Sequence, residues 1–165
     1  MAITTGDKLP NATLLRMGEE GPETVDLHSL IGEGPAVIFG LPGAYTGVCS
    51  TAHVPSFIRT KDQFAEEGID TIICVSVNDP FVMEAWGKDT GASEAGIHML
   101  ADPESDFIRT LGLQFSAPPA GLIDRAKRFA MVIEDGAVAV IEIEDNPGLC
   151  ERSAGEGLLR RYSEV

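Results

Sequence analysis

The side chains best suited to chemistry are three cysteines, Cys49, Cys74 and Cys150, and three histidines, His28, His53 and His98. Cys49 ends the run Leu41-Pro42-Gly43-Ala44-Tyr45-Thr46-Gly47-Val48-Cys49, which follows an apolar, strand-like stretch at 35–41. Thr46 is a good helix N-cap, so the spacing puts Cys49 in the first helical turn. A thiol there meets unpaired backbone N–H groups and the positive end of the helix dipole. Both stabilise the thiolate, which is the nucleophilic form. The loop also lies at the carboxyl end of a strand, where open α/β sheets place their sites. On position alone, a buried cysteine that merely starts a helix is an equal alternative, because free cysteine is among the most buried residue types.

The other two thiols read differently. Cys74 sits inside TIICVSV, apolar on both sides, and is expected in the core. Cys150 sits in NPGLCERS, an acidic loop with Pro and Gly, and is expected to be exposed and therefore a candidate for reaction. An odd number of widely spaced cysteines is no disulfide framework, and no CxxC pair or cysteine–histidine cluster suggests a metal site. Free thiols point to a reducing compartment, and the cytoplasm is the expected location. The first ten residues, MAITTGDKLP, show neither a basic region nor an apolar run of a secretory leader. Phosphate-binding Gly-rich loops, a G-x-S-x-G elbow and H-E-x-x-H are absent. Asn11-Ala12-Thr13 is a glycosylation sequon, which carries weight only in a secreted chain.

Composition narrows the function further. The 165 residues carry 12 Lys+Arg against 26 Asp+Glu, a net charge of −14, which repels phosphate backbones and anionic lipid surfaces. Neither nucleic acid nor membrane is an expected partner. The length suits one domain, 1–165, with enough chain to bury a core.

The elements that must position Cys49 follow from periodicity. Residues 12–27 read as two short strands around a Gly/Glu loop, and 35–41 and 71–77 as strands buried on both faces. Between the latter, Val54, Phe57, Ile58 and Phe64 share a helical face that Gly68 ends, giving a βαβ unit. Pro55 falls inside this helix and is expected to kink it. Asp79-Pro80 opens a second helix, 97–100 is a short strand, and Asp102-Pro103 opens a third helix that Gly112 ends. A long loop is expected over 113–127. Strands at 129–134 and 137–143 are joined by Asp135-Gly136, a primed hairpin turn. Ser153-Ala154-Gly155-Glu156 reads as a capping box for a last helix. Parallel units followed by an antiparallel hairpin suit a thioredoxin-like α/β fold, with a central mixed sheet flanked by helices. The late hairpin argues against a flavodoxin-like sheet.

The string PGAYTGVCSTAHVPSF, with Pro42-x-x-x-Thr46-x-x-Cys49 inside it, resembles the peroxiredoxin signature, and specifically the type II (peroxiredoxin-5) subfamily. CVSVNDPFVMEAWG at 74–87, ADPESDF at 101–107 and KRFAMVIEDG at 127–136 resemble its later blocks in order. The resemblance runs from about residue 3 to the end. It implies a thiol peroxidase in which Cys49 is the peroxidatic cysteine, attacking hydrogen peroxide or an alkyl hydroperoxide and becoming a sulfenic acid. It implies that Arg128 lowers the thiol pKa and binds peroxide oxygens, that Thr46 hydrogen-bonds the sulfur or the peroxide, and that Pro42 covers the sulfur. Arg128 follows Arg125 and Lys127, and one of these could be simply a solvated loop charge, with Arg125 the first alternative for the arginine role. His53 matches T-H-x-P in the subfamily and is expected to pack or to line an interface rather than to catalyse. Cys150 is a candidate resolving cysteine, slightly out of register with that pattern. The reductant left open is thioredoxin, or glutathione with glutaredoxin. No metal, haem or flavin cofactor is implied, and a homodimer is implied near the Pro42–Thr46 loop, 79–86 and 113–122. Two rival readings are a disulfide reductase, disfavoured without CxxC, and a redox sensor or chaperone-like protein that uses Cys49 without turnover.

Overall fold

The computed structural model describes residues 1–146 and 148–164, with Cys49 described through its backbone alone. In chain order the elements are β1 (Thr13–Gly18), β2 (Gly21–Asp26), α1 (Leu27–Ile31), β3 (Ala36–Leu41), a π-helical turn (Cys49–His53), α2 (Val54–Glu66), β4 (Thr71–Ser76) and α3 (Pro80–Thr90). They continue with β5 (His98–Ala101), α4 (Asp106–Leu111), β6 (Gln114–Ala117), a 3₁₀ turn (Pro118–Ala120), β7 (Leu122–Ala126), β8 (Phe129–Glu134), β9 (Ala137–Ile143) and α5 (Gly155–Ser163).

A mixed sheet of seven strands runs β2-β1-β5-β4-β3-β8-β9. The βαβ crossovers make β3, β4 and β5 parallel, while β8 returns antiparallel to β3 and carries β9 on its far edge. Because β3 is central, every residue in it is buried, and its pleat feeds two cores. Val37, Phe39 and Leu41 pack with Phe57 and Phe64 of α2, Trp86 of α3 and Leu158 of α5. Ile38 packs on the opposite face with Leu27 of α1, and Phe107, Ile108 and Leu111 of α4. This is the thioredoxin-like architecture read from the sequence. Asp135 and Gly136 both have positive φ, 51° and 77°, so the hairpin turn is of the primed type expected. Asp79 caps α3 by accepting from Val82 N–H at 2.8 Å.

Three expectations are corrected. The loop at 113–127 holds β6 and β7, which form a separate antiparallel ribbon. The strands, QFSA and LIDRA, are four and five residues long, and only Ala126 at the end of β7 is buried, so the stretch has no apolar run long enough to mark a strand of the core. The third helix starts at Asp106, after Ser105 in the left-handed region; Asp102 caps it from further back, accepting from Phe107 and Ile108 N–H. The capping box does not form. Ala154 is the N-cap of α5, Ser153 gives its hydroxyl to Glu144, Glu156 turns to Arg59, and Ser56 Oγ takes Gly155 N–H instead. The short helix α1 has no counterpart in the sequence reading.

Candidate active site

The segment leaving β3 is tied down at each step. Pro42 and Gly43 are buried. Ala44 N–H donates to Asn78 Oδ1 at 2.9 Å, and Ser76 Oγ donates to the same oxygen at 2.6 Å, which links the ends of the parallel strands β3 and β4. Tyr45 takes a positive φ of 66° to turn the chain. Thr46 donates its hydroxyl to Gly43 C=O at 2.7 Å. That carbonyl can only accept, so in this geometry Thr46 Oγ1 has its proton committed and serves neighbours as an acceptor.

Helix begins at Gly47. Ser50 N–H donates to Thr46 C=O at 3.1 Å, closing the first turn around Val48 and Cys49. The backbone of Cys49 therefore sits where the sequence put it, at the positive end of the helix. Pro55, expected inside the helix, is the second residue of α2, directly after the π-helical turn Cys49–His53. Proline has no N–H to return to Thr51, so the turn ahead of it widens rather than breaks. Trp86 Nε1 donates to Ser50 Oγ at 2.9 Å, anchoring the residue after Cys49 to α3.

Arg128 reaches this turn from the other side of the sheet centre. It precedes β8, is 2% exposed, and its Nη1 lies 3.0 Å from His53 Nδ1. His53 is fully buried between Phe39 and Phe57, with ring centroids 5.0 and 5.6 Å away. Its Nε2 lies 3.0 Å from Ser153 C=O. A carbonyl only accepts, so Nε2 carries the hydrogen and Nδ1 accepts from Arg128. Burial first, and then the Arg128 charge, push the His53 pKa down to about 3, so the ring is neutral near pH 7. The circuit closes through Glu144. Its Oε2 accepts from Ser153 N–H (2.7 Å), Ser153 Oγ (2.6 Å) and Glu151 N–H (2.9 Å), while its own N–H donates to Arg128 C=O at 2.9 Å. Burial alone would raise the Glu144 pKa, but the bonds from Ser153 and Glu151 and the charge of Arg152 hold it below the usual carboxylate range.

Of the residues singled out in the sequence, the structure puts Pro42, Thr46 and the Cys49 backbone on one loop and helix start, and Arg128 against His53 at the far end of the same π turn. The expected contacts of the Cys49 thiol with Pro42, Thr46 and Arg128 lie outside the described residues. Cys74 is buried in β4 beside Phe39 and Met99 of the neighbouring strands, as expected of a core thiol. Cys150 is half-buried rather than exposed, within electrostatic reach of Arg59 on α2. Arg59 is itself held by Glu156 at 3.0 and 3.2 Å. Sequence reasoning missed Glu144 and Ser153 as members of the site, and offered Arg125 as the alternative to Arg128 rather than as a partner of Pro42. Arg125 Nη1 donates to Pro42 C=O at 2.9 Å. None of these had a local signal, since their partners are remote in sequence. Among the described residues, no cluster of His, Cys, Asp and Glu could hold a metal ion.

A mixed sheet with a cysteine at a helix start, followed one turn later by a histidine that holds a buried arginine, is what a thioredoxin-like thiol enzyme presents. Residues 4–159 match the Redoxin family. Peroxiredoxin-2D of Arabidopsis thaliana is 39% identical over 159 residues, covering 96% of this chain and 97% of the relative. Reduced Prx3 of Vibrio vulnificus, solved in complex with H2O2, superposes with a TM-score of 0.88 at 39% identity, covering 97% of this chain and 99% of that one. Peroxiredoxin 5 of Alvinella pompejana gives 0.85 at 29% identity, covering 99% of each chain. The chain belongs to the Redoxin family and, within it, to the type II (peroxiredoxin-5) peroxiredoxins, which are thiol peroxidases.

Proposed function

We propose that the chain reduces hydrogen peroxide and alkyl hydroperoxides through Cys49. The thiolate attacks one peroxide oxygen, an S–O bond forms as the O–O bond breaks, and the leaving oxygen takes a proton to depart as water or alcohol. Cys49 is then a sulfenic acid. A second thiol displaces its hydroxyl as water to form a disulfide, and a further thiol reduces that disulfide. The observation that carries this reading is the buried guanidinium of Arg128, held by neutral His53 one turn beyond Cys49. A fixed positive charge there favours the thiolate and the charge that develops on the peroxide oxygens. Pro42 shields the sulfur in this scheme. Thr46, its own proton held by Gly43 C=O, accepts the S–H of the resting thiol or the O–H of the peroxide.

The second thiol is either Cys150 or an external donor, thioredoxin or glutathione with glutaredoxin. We also infer a homodimer. Tyr45 and Phe81 are 52% and 61% exposed, apolar surface on two of the segments where the resemblance implies a partner copy, and Ile123, 55% exposed, directly follows the third. The decisive experiment is Cys49→Ser, assayed for peroxide consumption with excess thiol donor. A serine hydroxyl stays protonated near neutral pH, so consumption is abolished while the circular dichroism spectrum is kept. Substantial residual peroxidase activity in that variant would refute the reading, and a wild type that stops after one equivalent would favour a redox sensor.

A further inference from the structure

We propose that Arg125 is a positioning residue for peroxide reduction, acting through the Pro42–Gly43 peptide on the Thr46 hydroxyl; this rests on the reading of Cys49 as the attacking thiolate. The chain of contacts is short. Arg125 Nη1 donates to Pro42 C=O at 2.9 Å, and the neighbouring Gly43 C=O accepts the Thr46 hydroxyl at 2.7 Å and Thr46 N–H at 3.3 Å. Only the φ and ψ of Gly43 separate the two carbonyls, and the guanidinium seated against Gly43 while bonded to Pro42 C=O limits those rotations, so it restrains the direction of the Gly43 C=O. Gly43 is buried, and a Cβ added there would collide with Arg125 Nη1. The guanidinium thus lies over the glycine in the space a side chain would take. A flat, five-donor head suits that seat better than a lysine ammonium does.

The base of the side chain is held as well. Arg125 belongs to β7, paired with Phe115 of β6. The ribbon is closed at its base by Lys127 N–H donating to Leu113 C=O at 2.8 Å and tied to α4 by the Arg109–Asp124 ion pair at 3.6 Å. The ribbon's placement is therefore transmitted to the loop that precedes Cys49.

Two independent substitutions remove the same contact. Arg125→Met deletes the donor. Gly43→Ala evicts the guanidinium; the glycine's φ is not in the left-handed region and the obstacle is the end of a flexible side chain, so the fold tolerates it. Each is expected to lower the second-order rate of Cys49 oxidation by hydrogen peroxide roughly tenfold, the scale of one charge-assisted hydrogen bond. The double variant is expected to be no slower than either single one. Arg125→Lys, which can still donate once to Pro42 C=O, recovers part of the rate. Alkylation of Cys49 by iodoacetamide, compared at equal thiolate fraction, needs no positioned Thr46 and is expected to be unchanged. Wild-type peroxide rates in both single variants, losses that multiply in the double variant, or a parallel fall in alkylation would each overturn the proposal. Cys49→Ser assayed alongside separates the two readings: if it still consumes peroxide, the assignment of Cys49 has failed rather than the role of Arg125.

Discussion

His53 offers the most quantitative test of the site, because the ring is buried, neutral and bonded at both nitrogens. Its pKa falls from an ordinary 6.5 to about 3 in the folded chain. The unfolded chain therefore binds the proton more readily throughout that window. Stability from this group is complete above the unfolded pKa and is lost as the pH falls toward the folded one, at about 1.4 kcal/mol per pH unit. Between pH 7 and pH 5 the loss sums to about 2 kcal/mol, a large part of a typical stability. His53→Gln removes the titration while keeping the bonding pattern, since the amide N–H can donate to Ser153 C=O and the amide oxygen can accept from Arg128. The assay is urea unfolding at a series of pH values, followed by the fluorescence of Trp86, the chain's one tryptophan and a fully buried one. The wild type should lose about 2 kcal/mol more than His53→Gln from pH 7 to pH 5. The other histidines are present in both proteins and cancel. Parallel curves for the two proteins over that range would refute a neutral, buried His53 and with it the tautomer that lets Nδ1 accept from Arg128.

Arg128→Ala should raise the pKa of the Cys49 thiol, read by thiolate absorbance, and slow peroxide attack by at most about 3–4 kcal/mol in barrier; an unchanged titration and rate would move the electrostatic role to Arg125. Cys150→Ser should abolish thioredoxin-supported turnover while sulfenic acid still forms, if Cys150 resolves Cys49. Full turnover with glutathione and glutaredoxin, together with no internal disulfide in the oxidised wild type, would exclude that role. Gly155→Ala should destabilise the chain by about 1–3 kcal/mol in the same unfolding assay, because the added Cβ would collide with Thr60 Oγ1 and Ser56 C=O where α5 meets α2. Wild-type stability in that variant would mean that the two helices are free to separate.

Much of the scaffold was legible because it is written in short-range patterns. The buried strands at 36–41 and 71–76, the Asp79-Pro80 helix start and the Asp135-Gly136 turn each depend on a few neighbouring residues, so periodicity and turn chemistry found them. Pro42, Thr46 and Cys49 share one loop, and their spacing alone placed the cysteine at a helix start. Where a local pattern met a stronger distant partner, it misled. Ser153 has the form of a helix cap, but a buried carboxylate competes for its hydroxyl and wins. Pro55 reads as a kink inside a helix, whereas the chain places it at the start of α2, behind a π-helical turn that local spacing does not announce.

What the sequence by itself determined is the nucleophile and the fold that carries it: a cysteine behind a turn and a helix start, in a chain whose apolar runs build a mixed sheet. Tertiary structure alone decided how that cysteine is served. Arg128 meets His53 across 75 residues, His53 meets Ser153 across 100, and Arg125 meets Pro42 across 83. Such bonds leave no trace in local spacing, because they join loops at one end of a sheet whose strands are ordered by topology rather than by sequence. The protonation state of His53, and so the direction in which Arg128 is held, follows from burial and from a carbonyl that can only accept, neither of which exists until the chain has folded.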